Sequence, residues 1–210
     1  MGLLKRRIEY TSANYEKYMS KNKLKQRMIK KMQELIINII EDEISFCEGK
    51  VLDFADVGCG EGFVSDIIKK KYDFLNITGI DYSEAAIEHA KKLCDTINFT
   101  TGSIYGLDYS DNSFDIVLCS EVLEHLEQPE KGLLELLRIT KKSIILSVPN
   151  DPIFRMGNML ALKNIARFGN PTEHIQHWTS NGFLKWIQKY TNCSCYYKSA
   201  FTWTIVVIHI

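Results

Sequence analysis

Residues 50–64, KVLDFADVGCGEGFV, decide the fold. An apolar run here leads directly into three glycines at alternate positions, Gly58, Gly60 and Gly62. Glycine accepts positive φ at no steric cost and lets another molecule approach the backbone closely, so the run reads as a buried strand feeding a tight binding turn. The strand is placed over 51–57 and the helix that follows over 61–72.

The pattern then repeats downstream. Strands are expected over 76–80, 98–101, 114–120 and 143–148, with helices over 84–95, opened by Ser83 as N-cap, and over 130–140. Near-continuous apolar strands alternating with helices mark a parallel sheet covered on both faces, whose ligands sit beyond the carboxyl ends of the strands. Pro149 stops the alternation. Residues 150–178 are read as an insertion over that same edge, 180–190 as a helix capped by Thr179 or Ser180, and 193–200 with 202–210 as a closing antiparallel hairpin. The expected fold is a Rossmann-like, doubly wound α/β sheet of seven strands, mostly parallel, with an antiparallel C-terminal edge. A helical cap over 1–48 precedes the domain at 49–210. Its main helix shows in Leu24, Met28, Met32, Leu35, Ile36, Ile39, Ile40 and Ile44, at helical spacing.

Composition sets the outer limits. A chain of 210 residues with 45% apolar and 25% charged residues can bury a core without disulfide or metal staples. The six cysteines form no CxxC pair, and no apolar run approaches the length of a membrane span, so a cytoplasmic protein with no integral membrane segment is expected. Net charge is zero, which disfavours bulk attraction to nucleic acid. Charge is nevertheless uneven. Residues 1–31 hold ten basic side chains against two acidic, a balance of +8, and the other 179 residues hold 16 against 24, a balance of −8. The plain reading is a solvated helical face; the sharper one is a basic entrance for an anionic acceptor.

The chemistry centres on the turn and on Gly79-Ile80-Asp81, some 20 residues on. A carboxylate at that strand end suits the two hydroxyls of a ribose. The loop reads GxGxG, not the GxGxxG of nicotinamide dehydrogenases, and lacks the GK[ST] of a Walker loop.

With these motifs, DVGCGEG at 56–62, GIDYSEAAIEHAK at 79–91 and NSFDIVLCSEVLEHL at 112–126, the chain resembles the class I S-adenosyl-L-methionine (SAM)-dependent methyltransferases. Within them it is most similar to the ubiquinone-biosynthesis-type group and its relatives in bacterial polysaccharide gene clusters. The resemblance covers about 50–150, and loosely to 190. It implies SAM as donor and S-adenosyl-L-homocysteine as product. Gly58 and Gly60 would meet the methionine part through backbone, with Cys59 between them and Asp56 bracing the loop. Asp81 would hold the ribose, with Tyr82 beside the adenine, and Ser120 and Glu121 would line the floor near the sulfonium. Two departures stand out. Three extra residues separate Leu52 from the loop, which suggests a longer first strand. Where relatives often carry Gly-Asp after the third strand, this chain has Gly102-Ser103, so the adenine contact would pass to Ser103 or to the backbone of Ile104.

Methyl transfer to a hydroxyl needs alignment and a base for the released proton. His177 and His174, beside Trp178 in the insertion, are the first candidates, against a role in pinning the insertion down. His125 lies four residues beyond Glu121, placed to pair with it as a loop brace or to act as a base. A metal held by His174 and His177 with Glu173 or Glu121 is considered, and no metal is expected. The expected activity is O-methylation of a hydroxyl on a sugar, sugar phosphate or similar small polar acceptor, anionic or carrier-linked, in glycan biosynthesis. The alternatives are a phenolic quinone precursor, for which Phe154, Phe168 and Trp178 would line an apolar pocket, and a silent SAM-fold module. Nucleic-acid acceptors are not expected, since the amino-methylation motif of Asn or Asp before two prolines is absent.

Overall fold

The computed structural model describes residues 12–47, 52–160, 164–171, 173–200 and 202–210. Two helices come first, α1 (Ala13–Tyr18) and α2 (Lys23–Ser45). The sheet domain follows as β1 (Asp53–Val57), α3 (Phe63–Lys71), β2 (Asn76–Asp81), α4 (Glu84–Leu93), β3 (Asn98–Thr101), β4 (Phe114–Ser120), α5 (Pro129–Ile139) and β5 (Thr140–Pro149). Then come α6 (Ile153–Leu160), α7 (Ser180–Ile187), β6 (Ser194–Ala200) and β7 (Trp203–His209), with short 3-10 turns at Leu123–His125 and Ile165–Arg167.

The seven strands form one sheet in the order β3-β2-β1-β4-β5-β7-β6. Pairs from β3 to β5 are parallel, and β5–β7 and β7–β6 are antiparallel, as the alternation and the closing hairpin predict. The strand order reverses between β1 and β4, so the loops leaving these two strands border the crevice where such sheets bind ligands.

Both faces are covered, which is why the inner strands carry near-continuous apolar runs while the edge strands β3 and β6 do not. On one face Met32, Ile36, Ile39 and Ile40 of α2, Ile68 of α3 and Ile87 of α4 pack against Phe54, Ile116 and Ile205. On the other, Leu133 and Leu136 of α5 and Phe183 and Ile187 of α7 pack against Val117, Ile144 and Val206. Among the described residues no helix is long and apolar enough to cross a membrane.

Two expectations need correction. The strand β1 is no longer than usual: its five residues pair with β2 in unbroken register from Asp53↔Asn76 to Val57↔Ile80, and Val51 lies outside the described residues. The residues that looked inserted simply are the strand. The helix expected from residue 61 starts at Phe63 instead, because Gly62 has φ +77° and turns the chain first.

Candidate functional site

At the end of β1 the chain runs through Gly58 (φ +80°), Gly60 (φ +53°) and Gly62 (φ +77°). Substitution at Gly58 is blocked twice over, since an added Cβ would stand 2.2 Å from Val122 Cγ2. The Gly58 and Cys59 amides both donate to the Ile80 carbonyl, at 2.7 and 3.0 Å, which ties the loop to β2. Cys59 turns its thiol inward, where burial pushes its pKa well up, so it offers a ligand only backbone. Buried Asp56 accepts from Ser65 at 2.5 Å, anchoring the loop to α3, and burial raises its pKa to about 7.

Asp81 closes this end. One carboxylate oxygen accepts the Gly60 amide at 2.8 Å and the other the Ser83 amide at 2.9 Å. Each oxygen keeps a lone pair for a hydroxyl donor. Tyr82 stands out into solvent, 83% exposed, and is free to lie against a planar ring. Ser103 accepts from the Tyr105 amide at 3.3 Å, and Ile104 packs onto the second core beside Gly132. The positive-φ loop and the Asp81 carboxylate beside it fit a methionine-linked nucleoside such as SAM.

α1 covers this end. The Ser12 hydroxyl and the Asn14 amide both donate to the carboxylate of Glu61, Asn14 at 2.5 Å. An added Cβ at Gly60 would lie 2.8 Å from the Asn14 amide nitrogen. Tyr18 stacks on Phe63 at 4.7 Å, and Tyr15 approaches both Phe63 and His89. Lys17 reaches further and pairs with Glu121. Burial alone would lower its pKa, but Glu121, Tyr18 and Glu124 together outweigh that and raise it. Lys21, Lys23, Arg27, Lys30 and Lys31 are exposed, a solvated face, and Lys5, Arg6 and Arg7 lie outside the described residues.

The residues expected to line the floor of the site lie where β4 stops. Ser120 shares a hydroxyl hydrogen bond with Ser147 at 2.7 Å, and Glu121 adopts φ +59°. That turn aims the Glu121 carboxylate at Lys17 and at the indole N–H of Trp203. The expected Glu121–His125 pairing is therefore not made: residues 123–125 form a 3-10 turn, whose spacing does not align positions four apart. His125 instead gives its Nδ1 hydrogen to the Glu173 carbonyl at 2.8 Å, which leaves Nε2 with a free lone pair. That bond joins the turn at 123–125 to the segment at Glu173.

That free nitrogen points toward an unexpected neighbour, Glu124. Its carboxylate is buried and, among the described residues, neither oxygen has a hydrogen-bond partner; His125 Nε2 lies 3.9 Å away. Burial pushes its pKa well up, and Glu121 adds to the rise. One ligand atom each from Glu124, His125 and His174 lie within 4.8 Å of one another. This differs from the grouping considered from sequence. His174 stacks on Phe154 at 5.4 Å and meets His125 edge-on at 5.0 Å. Its burial, assisted by His125, holds its pKa down at about 4, so the ring is neutral at physiological pH.

His177 is not one of those three residues, though it is near enough to His174 to help hold that ring's pKa down. Its Nδ1 is 2.8 Å from Asp151 Oδ2, and its Nε2 is 3.1 Å from the Asn170 amide. This fixes Nδ1–H toward the carboxylate and a lone pair on Nε2. The aromatic pocket foreseen for a phenolic acceptor is only partly assembled. Phe154 faces His174, but Trp178 packs on Phe183 and Trp186, and Phe168 is 69% exposed. Glu124 escaped the sequence reading, although its signal was present in the Glu121-x-x-Glu124-His125 spacing after a buried strand.

Comparison with known proteins agrees with this geometry. Residues 55–147 match the profile of a methyltransferase-domain family. The chain is 26% identical over 190 residues to the mitochondrial ubiquinone biosynthesis O-methyltransferase of Schizosaccharomyces pombe, covering 82% of this chain and 67% of that protein. It is 35% identical over 97 residues to an uncharacterised methyltransferase of the same yeast, covering 41% of this chain and 35% of that protein. The chain thus spans only a third to two thirds of these relatives' length. Among solved structures, the plantazolicin methyltransferase BpumL, in complex with a monoazolic desmethylPZN analog and SAH, superposes with a TM-score of 0.72 at 18% identity, covering 94% of this chain and 90% of that one.

Proposed function

We propose that this chain, which carries a SAM-dependent methyltransferase domain over residues 55–147, methylates a hydroxyl of a small polar acceptor. The acceptor class is a vicinal diol on a sugar or sugar phosphate, as glycan assembly would present. The observation that carries this reading is the Glu124 carboxylate, buried without a hydrogen-bond partner against two imidazoles. A buried acceptor pair left unsatisfied is costly, and one carboxylate with two imidazoles is a donor set that divalent cations accept. Glu124, His125 and His174 would hold such a cation, which would supply Lewis acidity that makes an acceptor's hydroxyls more acidic.

At the other end Asp81 and the 58–62 loop would hold SAM, which supplies a methyl group on a sulfonium leaving group. The chain's own part is to align the acceptor oxygen and take its proton. As the oxygen–carbon bond forms and the carbon–sulfur bond breaks, the hydroxyl proton passes to His177 Nε2, whose ring Asp151 orients. S-adenosylhomocysteine leaves neutral. A phenolic diol is the second reading, favoured by the alignment to the ubiquinone enzyme across 82% of the chain. It fits the same carboxylate–imidazole cluster but lacks the expected aromatic walls at Trp178 and Phe168.

The test is transfer of labelled methyl from SAM to a panel of sugar diols, sugar phosphates, catechols and single alcohols, with Mg²⁺ or Mn²⁺ and again with EDTA. Cation-dependent label in sugar diols supports the reading, and label confined to catechols moves it to the second. Transfer to single alcohols unaffected by EDTA would overturn the diol reading. Binding of S-adenosylhomocysteine without transfer to any acceptor would favour a silent module.

A further inference from the structure

Acidic side chains gather around the crevice between the 58–62 loop and the end of β4. Asp56 and Asp81 anchor the loop, Glu61 belongs to it, and Glu121 follows β4. The helix α1 lays its side chains across this ground. Ser12 and Asn14 hold Glu61, the Tyr18 ring stacks on Phe63, and the Lys17 ammonium pairs with Glu121. Burial raises the Tyr18 pKa, and the charges of Glu121, Asp56 and Glu61 add to the rise against Lys17. The end of α1 is therefore set among all three carboxyl groups.

Lys17 is held there much as a cationic ligand would be. Its side chain is 18% exposed and that of Glu121 20%. Its Nζ lies 5.6 Å from the centroid of the Tyr18 ring and 5.8 Å from that of Trp203, both within reach of cation–π attraction. Trp203 also donates its indole N–H to Glu121, and Glu121 reaches the pair from a backbone at φ +59°, a conformation rare outside glycine. One carboxylate and two aromatic rings make a position for a single positive charge, and the chain fills it with its own.

The donor brings a second positive charge. SAM carries a sulfonium where S-adenosylhomocysteine has a neutral thioether, and the two share every other charged group. We propose that Lys17 sets this protein's preference between SAM and S-adenosylhomocysteine, its ammonium competing with the sulfonium for the Glu121 carboxylate. The proposal rests on the reading that puts the sulfonium near the end of β4. Two cations beside one carboxylate repel, and in a mostly buried crevice water and salt screen that repulsion little. A thioether meets no such repulsion and leaves Lys17 seated on Glu121. Lys17 thus weakens SAM relative to the product, and the protein answers to the ratio of the two, falling idle as product accumulates.

The experiment is titration calorimetry of the full chain with SAM and with S-adenosylhomocysteine, without acceptor. Wild type, Lys17→Met, Lys17→Arg and Glu121→Gln are compared, with circular dichroism to follow the fold. The readout is the Kd for SAM divided by the Kd for S-adenosylhomocysteine, in which losses common to both ligands cancel. Lys17→Met should lower this ratio by about tenfold, because Glu121 is then left to the sulfonium. Glu121→Gln should raise it, because the ammonium stays and its counter-charge goes. Lys17→Arg keeps the charge and should stay near wild type. If Lys17→Met weakens both ligands equally, the ammonium serves a group they share, such as the methionine carboxylate, and the proposal falls. A Glu121→Gln ratio that moves with that of Lys17→Met overturns it as well. Failure of wild type to bind either ligand would sink the cofactor site itself, whereas an unchanged ratio with both ligands bound sinks the role of Lys17 alone.

Discussion

The ammonium of Lys17 is bonded to the carboxylate of Glu121, so the helix that covers the cofactor end is tied to the residue that closes β4. Glu121 also accepts from the Trp203 indole, and Lys17 Nζ lies 5.8 Å from the centroid of the Trp203 ring. One ion pair therefore joins α1, the end of β4 and the start of β7. Ser12 and Asn14 on Glu61 make the second attachment of α1.

Lys17→Met should loosen that cover. The substitution keeps the stem's length but leaves Glu121 mostly buried with only the indole as donor, at a cost of about 1–3 kcal/mol. The expected result is faster release of S-adenosylhomocysteine in stopped-flow dissociation, with the midpoint of thermal unfolding lowered by a few degrees. An unchanged release rate would mean that α1 does not gate the cofactor.

Asp81 serves two partners inside the protein as well as any ribose. Asp81→Ala removes acceptors from the Gly60 and Ser83 amides together, so S-adenosylhomocysteine affinity should fall by about 100-fold or more, while the sheet, built on β1, β4 and β5, stays folded. Titration calorimetry measures the first and circular dichroism the second. Normal affinity in a folded Asp81→Ala protein would remove Asp81 from the site.

The sheet was legible because its signals are local. The strands Phe114–Ser120 and Asn98–Thr101 run where their apolar patterns start and stop, and Ser83 and Thr179 cap the helices they precede. The geometry of the candidate site was legible where it follows from one turn, in the positive φ of Gly58 and Gly60 and the reach of Asp81 to the Gly60 amide. It was not legible where two distant segments create the chemistry. Glu124 gains meaning only when His174, fifty residues on, is brought over it by the Ile175 and Gln176 amides donating to the Glu124 carbonyl, both at 2.9 Å. Lys17 was hidden for the opposite reason: lysines are seldom buried, and only the Glu121 partner makes its burial tolerable.

Asp56 predicts a pH dependence with a definite sign. In the unfolded chain its carboxyl ionises near 3.8, whereas in the folded protein burial raises its pKa to about 7. The folded state binds the extra proton between those values, so the stability linked to this group is present below 3.8 and is lost as pH rises toward 7. Asp56→Asn keeps an acceptor for Ser65 and removes the titration. Thermal midpoints measured from pH 4 to 8 should decline less in this variant than in wild type. Parallel declines would show that Asp56 is not the group responsible.

Glu124→Gln tests the carboxylate–imidazole cluster without emptying its volume. The amide keeps one acceptor oxygen but loses the charge a divalent cation requires, so Mn²⁺ affinity, read by calorimetry or electron paramagnetic resonance, should fall by about 10-fold to 100-fold. Binding of S-adenosylhomocysteine should hold. Equal Mn²⁺ binding by both proteins would place the cation elsewhere.

His177 and Asp151 can be separated from the cluster by their tautomer. Asp151 Oδ2 holds the Nδ1 hydrogen, which keeps the lone pair on Nε2, where Asn170 now donates. If Nε2 receives the acceptor's proton, His177→Ala should slow turnover by about 100-fold or more, with cofactor affinity unchanged. Asp151→Asn should act more subtly. Its amide can donate to Nδ1 and so move the hydrogen to Nε2, which lowers kcat while leaving KM for SAM near its wild-type value. A purely structural His177 would behave otherwise: the insertion would loosen, acceptor KM would rise, and kcat at saturating acceptor would survive in both variants. Measuring kcat and KM for SAM and for acceptor in the two proteins therefore decides between a base and a brace.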